Sequence, residues 1–230
     1  MLLSKRLSLI ASLVETGSSV CDVGTDHGHL PAFLYKSGKC KSVIATDIRK
    51  KPLENARKNL EAANAAGVEL KLCDGLDGIT RDMADTVIIT GIGGEVISGI
   101  IDRAPFLRDY TVTLVLGPTT SAGRLRDYLA QAGFVVVFER AVEDNGKLYS
   151  VMKAHFRGIP YPIDNLCRAV GLVKPSYEEG RAYIKKQYSV IKKRADELSQ
   201  TGKNTLLYRE SLDTAAKIEK LLSGEESNGV

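Results

Sequence analysis

Val20-Cys21-Asp22-Val23-Gly24-Thr25-Asp26-His27-Gly28-His29-Leu30-Pro31 is the stretch on which the fold turns. An apolar run from Ser19 to Val23 passes into a loop of glycine, acid and histidine, and a helical pattern resumes after Pro31. Strand, loop and helix in that order put the loop at the carboxyl end of a strand, where open α/β sheets bind ligands. The loop departs from a dinucleotide fingerprint. Asp26 stands where G-x-G-x-x-G needs its second glycine, so that backbone can approach a pyrophosphate. A carboxylate at that point repels phosphate and suits a cation.

Outward from this loop the alternation continues on both sides. Leu3, Leu7, Ile10 and Val14 predict a helix over 3–16, closed by Gly17. Downstream, Ser42–Asp47, Val68–Leu72, Thr86–Thr90 and Thr111–Leu116 read as strands. A helix starting at Pro52, with Leu53, Ala56, Leu60 and Ala63 on one face, should run to Gly67, and others fall near 94–103 and 121–132. Such βα alternation gives a parallel sheet with helices on both faces. The pattern then changes: Phe134–Glu139 and Leu148–His155 are separated only by a turn-like Glu143-Asp144-Asn145-Gly146, which predicts an antiparallel hairpin. The fold class expected is therefore α/β, a Rossmann-like class I methyltransferase domain whose mostly parallel sheet ends in an antiparallel hairpin.

Gly158-Ile159-Pro160-Tyr161-Pro162 reads as a linker, dividing residues 1–158 from a helical domain over 159–230. Ser176-x-x-Glu179 has the form of a capping box, and Ile184, Tyr188, Ile191, Ala195 and Leu198 follow at alternating spacings of four and three. After a break at Thr201–Asn204, Leu207, Ala215, Ile218 and Leu222 mark a second helix, and 223–230 reads as a frayed tail. A helical hairpin or short coiled coil is expected.

The strand ends carry a further pattern. Asp22 closes the first strand, Asp47 the second, and Asp74-Gly75 the third. A carboxylate at the second strand end can accept hydrogen bonds from both hydroxyls of a ribose, and one at the third can accept from an adenine amino group. With a cation-seeking Asp26 and no phosphate site, these acids match S-adenosylmethionine. Taken singly, an Asp at a strand end also serves as an N-cap or turn residue, and His27 and His29 also read as surface groups. Thr90-Gly91-Ile92-Gly93-Gly94 ends the fourth strand without the Asn/Asp-Pro-Pro-aromatic motif of many amino-group methyltransferases. Its glycines permit close backbone approach to a ligand, or simply a tight turn.

The whole chain of 230 residues has 32 basic and 28 acidic side chains, an excess too mild to name a partner. Its distribution says more: Arg181, Lys185, Lys186, Lys192, Lys193 and Arg194 lie between Glu179 and Asp196 with no acid among them. That stretch suits a polyanion, or a solvated helix face. Four scattered cysteines without C-x-x-C spacing and three histidines suggest neither disulfides nor a metal site. No apolar run is long enough for a membrane span, so a cytoplasmic protein is expected.

Several of these strings together resemble the bacterial tRNA (adenine-22-N1) methyltransferase family, TrmK. They are Leu3-Ser-x-Arg6-Leu7, Asp22-Val-Gly-Thr-Asp-His-Gly-His-Leu-Pro31, Thr46-Asp47 with Pro52-Leu, Gly-Ile-Gly-Gly94 and Glu143-Asp-x-Gly-Lys-x-Tyr149. The resemblance implies that Asp22, Gly24, Asp26 and His27 surround the methionyl part of the cofactor. Asp47 with Ile48 would take the ribose, Asp74 with Gly75 the adenine, and Gly91, Gly93 and Gly94 would border the methyl group. Arg6 would close over the cofactor or touch RNA, and the basic stretch would grip tRNA. Two departures stand out: Ile92 for the family's Met, and Gly117-Pro118-Thr119 for its Gln-Pro-Asn, which removes two amide side chains beside the substrate.

For such a reaction Asp26, or the backbone carbonyl of Gly91, is the candidate to stabilise charge developing on the adenine. The base must leave its stack first, but no aromatic side chain is singled out to receive it. Methylation of another RNA or a small molecule, and a non-catalytic module binding S-adenosylmethionine or RNA, remain the alternatives.

Overall fold

The computed structural model describes residues 2–201 and 205–224. Seven strands form one sheet: β1 (Ser19–Val23), β2 (Ser42–Asp47), β3 (Glu69–Leu72), β4 (Thr86–Thr90), β5 (Thr113–Gly117), β6 (Phe134–Asp144) and β7 (Lys147–Phe156). Their order is β3-β2-β1-β4-β5-β7-β6. The first five are parallel, and β7 runs antiparallel to both β5 and β6. The chain reverses its direction of travel across the sheet between β1 and β4, so their carboxyl ends flank the switch point at which ligands bind.

Alternation along the central strands builds a core on each face. Val87, Ile89, Leu114 and Leu116 point to one side, where α4 (Gly94–Asp102) and α5 (Ala122–Gln131) cover them. Ile88 and Val115 point to the other, against Ile10 and Val14 beside α1 (Lys5–Leu13), Leu30 and Leu34 of α2 (His29–Lys36), and Leu60 of α3 (Lys50–Ala62). Strands buried on both faces read as continuous apolar runs, as β4 does.

The structure corrects several boundaries. Helix α2 starts two residues before Pro31, which the ring tolerates because first-turn amides have no partner within the helix. Helix α3 stops at Ala62, where Asn64 turns left-handed and Ala65 is buried. Glu143 and Asp144 belong to β6, and the turn is only Asn145-Gly146, with φ of 51° and 71°. Two successive positive φ values are what a tight two-residue hairpin requires.

Beyond β7 come α6 (Asn165–Val170), not anticipated from the sequence, α7 (Glu178–Thr201) and α8 (Thr205–Ser223). Arg181 on α7 donates to the carbonyl of Leu222, so α7 and α8 run antiparallel. Ile184 and Ala195 of the expected seam are fully buried. Ile184 and Ile218 join Val170, Val173 and Tyr183 against Ala141 of β6, fixing the helices to the sheet edge. The break read at Thr201–Asn204 and the tail read over 223–230 lie, for residues 202–204 and 225–230, outside the described residues. No described helix is long and apolar enough to cross a membrane.

Candidate active site

At the switch point the carboxyl ends of β1, β2 and β4, the loop after β3 and the start of α1 enclose a cavity of about 580 Å³. Arg6, Asp22, Gly24, Asp26, His27, Asp47, Ile48, Asp74, Gly75 and Gly91 all line it. The backbone makes the frame: the amides of Gly24 and Thr25 both donate to the Thr46 carbonyl, at 2.8 and 3.0 Å, tying the β1 loop to β2. Thr46 Oγ1 donates to the Gly75 carbonyl at 3.0 Å, tying β2 to the loop after β3. Gly28 has φ of 68°, and a Cβ there would lie 3.1 Å from that of Ala56, so the glycine lets the loop close onto α3.

The three strand-end acids differ in state. Asp22 is buried, and burial pushes its carboxyl up to about 6; Thr25 opposes the shift and the charge of Asp47 adds to it. Asp47 is also buried and accepts from the Arg49 amide at 2.9 Å, with the exposed Arg49 Nε 3.7 Å away. Asp74 sits half-exposed at the rim, already paired with Arg103 Nη2 at 3.1 Å. Asp26 adopts φ of 48°, and its exposed carboxylate lies 3.3 Å from His27 Nε2.

Two predicted residues fall outside the lining. Gly93 and Gly94 lead into α4, where a Cβ on Gly94 would meet the Ser121 carbonyl at 2.5 Å, so this glycine allows two backbones to touch. Sequence reasoning also gave no cofactor-side role to Arg49, Val96 and Ile100, which share the lining with Thr25 and Thr90. Val96 and Ile100 are four apart on α4, a spacing that could have shown them on one face.

A second cavity of about 510 Å³ opens between the sheet and the C-terminal helices. It is bordered by Pro118–Gly123, Leu148–Ser150 and residues of α6, α7 and α8. All six cations of the basic stretch are exposed, but only Lys186 and Arg194 line this cleft. Arg181 is bonded to the Leu222 carbonyl and Lys193 pairs with Glu197 at 3.9 Å. Lys185, Lys186, Lys192 and Arg194 face no acid within ion-pair distance among the described residues. Nor do the described residues hold any group of three or more His, Cys, Asp or Glu that could bind a metal.

A parallel sheet closed by a reversed β7, with acids gathered at successive strand ends, defines a class I methyltransferase, and residues 3–152 match the methyltransferase domain family Methyltransf_18, to which this chain belongs. Among curated proteins it is similar to the tRNA (adenine(22)-N(1))-methyltransferase of Bacillus subtilis, with 27% identity over 188 residues, 80% of this chain and 79% of that one. Among solved structures it is similar to Sp1610 of Streptococcus pneumoniae, a candidate tRNA (m1A22) methyltransferase, in complex with S-adenosyl-L-methionine. That likeness has a TM-score of 0.77 and 28% identity, over 96% of this chain and 100% of that chain. The B. subtilis m1A22 tRNA methyltransferase TrmK shares the fold, with a TM-score of 0.78 and 24% identity over 97% of this chain and 98% of that one. The resemblance read from the motifs and these similarities point to the same family.

Proposed function

We propose that this chain is an S-adenosylmethionine-dependent enzyme that methylates N1 of an adenine in tRNA, position 22 being the one its Bacillus relative is named for. The observation that carries the cofactor is Asp22. It is a buried carboxylate with no cation within ion-pair distance among the described residues, in a cavity that also holds Asp47, Asp74 and Asp26. Such a cavity repels a pyrophosphate and favours a ligand that brings positive charge and no phosphate. S-adenosylmethionine does both, and when bound it supplies an electrophilic methyl group.

Asp22, Gly24, Asp26 and His27 hold its methionyl part, Asp47 and Ile48 its ribose, and Asp74 and Gly75 its adenine, with Gly91 beside the methyl. The N1 lone pair of adenine is free at neutral pH, so no general base is needed. The chain contributes orientation, exclusion of water and negative potential for the cation that forms, supplied by Asp26 and the Gly91 carbonyl. Lys185, Lys186, Lys192 and Arg194 give tRNA phosphates a surface whose charge is not already spent on acids. Residues 1–158 hold the cofactor and present it to the base, and 159–230 add the contacts that grip the RNA. The test is to incubate the protein with S-adenosylmethionine and unmodified tRNA transcripts, then digest to nucleosides: N1-methyladenosine is expected, and its absence refutes the reading.

A further inference from the structure

The two cavities share a wall in which the fold leaves hydrogen-bonding groups unused. Arg6 lines the first cavity, and its guanidinium carbon lies 4.6 Å from the centre of the Tyr149 ring, which lines the second. Arg6 Nε and Nη1 are buried without a hydrogen-bond partner among the described residues, Nε being 3.9 Å from the Asp144 carboxylate. Ser150, 2% exposed and lining the second cavity, has a buried Oγ that is equally without a partner among the described residues. Buried polar groups are ordinarily satisfied, so these mark a place where a ligand supplies what the protein does not. The Thr119 amide donates to the Ile92 carbonyl at 2.9 Å, joining the loop that borders the second cavity to the strand end that borders the first.

We propose that the second cavity receives the extruded target nucleotide, its base stacked on Tyr149 and its phosphates toward Lys186 and Arg194. This rests on the proposed function and adds the seat of the acceptor. Arg168 in the cavity lining is paired with Asp127, which leaves Lys186 and Arg194 against the single acid Glu210 and favours a phosphate-bearing ligand. The cavity has the size of an ordinary small-ligand site. Of the two tyrosines in the lining, Tyr183 is 4% exposed and its hydroxyl accepts from Arg126, so it is committed to the fold. Tyr149 is half-buried, and Arg6 covers one of its faces. A ring already held by a guanidinium is a fixed platform on which an unpaired base can stack.

The test uses the full chain with a tRNA substrate. Tyr149→Ala is expected to lower kcat/KM for tRNA by roughly tenfold to a hundredfold, the span of base–aromatic stacking. The dissociation constant for S-adenosylmethionine stays the same, and Tyr149→Phe, which keeps the ring, recovers most of the loss. In the unaltered protein, 8-azidoadenosine placed at the methylated position is expected to photo-cross-link to the tryptic peptide Leu148–Lys153. A cross-link mapping elsewhere, or Tyr149→Ala methylating tRNA as the parent does, overturns the seat while leaving the enzyme reading intact. A parent protein that methylates no tRNA overturns both.

Discussion

Arg126 and Glu139, at the junction of the sheet with the C-terminal helices, and Asp22 and Asp47, in the first cavity, are buried to a similar degree but treated in opposite ways. At the junction nearly every polar atom is used. Arg126 donates to both Glu139 oxygens, to the Arg168 and Ala169 carbonyls at 2.7 and 3.1 Å, and to the Tyr183 hydroxyl at 3.0 Å. Glu139 also accepts from the Leu172 amide at 3.1 Å. One ion pair thereby links α5, β6, α6 and α7. In the cavity, among the described residues, Asp22 meets no cation and Asp47 only an exposed one. The same kind of buried charge is thus a completed joint in one place and an incomplete site, waiting on a ligand, in the other.

Breaking the completed joint should produce the largest effect. Arg126→Ala leaves Glu139 buried and unpaired, and removal of one partner from such a pair costs about 3–5 kcal/mol. Urea unfolding should show that loss, whereas Arg126→Met with Glu139→Leu, which removes both charges and keeps volume, should recover most of it. Gly171→Ala tests the same joint from the backbone. Gly171 has φ of 60°, and a Cβ there would lie 1.8 Å from Glu139 Oε2. Its thermal midpoint should fall, because neither the backbone nor the carboxylate has room to move.

The incomplete site should respond with the opposite sign. The folded Asp22 holds its proton up to about pH 6, against an ordinary carboxyl value of 3.8. Between those values the folded chain binds more protons than the unfolded one, so this group's contribution lowers stability as pH rises, and the full cost stands above about pH 6. Asp22→Asn is therefore expected to stabilise the ligand-free protein by on the order of 1–3 kcal/mol in urea unfolding at pH 7.5. Calorimetric titration of the same variant should show S-adenosylmethionine affinity lowered at least about tenfold. In the parent protein, affinity should decline as pH falls through about 6, where the carboxylate takes up its proton.

How much of this was legible in the sequence follows the range of the interactions. The sheet was readable because its strands, glycine stops and helix faces are local patterns, and the cavity acids because each follows its own strand. The joint was not, because Arg126 on α5 and Glu139 on β6 become a buried pair only when α6 and α7, arriving from beyond residue 158, cover them. Helix α6 has six residues, too few for a period to show. Tyr149 stood inside a motif that was read, but its significance depends on Arg6, at the far end of the domain. The six cations looked like one patch in sequence, and helical geometry divides them.

That division supplies the smallest and most selective prediction. Lys186 and Arg194 line the cleft, are exposed, and pair with no acid among the described residues, so the fold gains little from either charge. Replacing both with Ala should change unfolding stability by no more than about 0.5 kcal/mol. If tRNA phosphates sit against them, the slope of log affinity against log salt should flatten by about 1–2, each phosphate contact contributing roughly 0.7–0.9. Lys193→Ala, which removes a cation already paired with Glu197, should flatten it less. A single variant that flattens the slope by half as much as the double one, the same amount per charge removed, would mean that the surface acts by net charge alone and that the cleft has no privileged share in holding RNA.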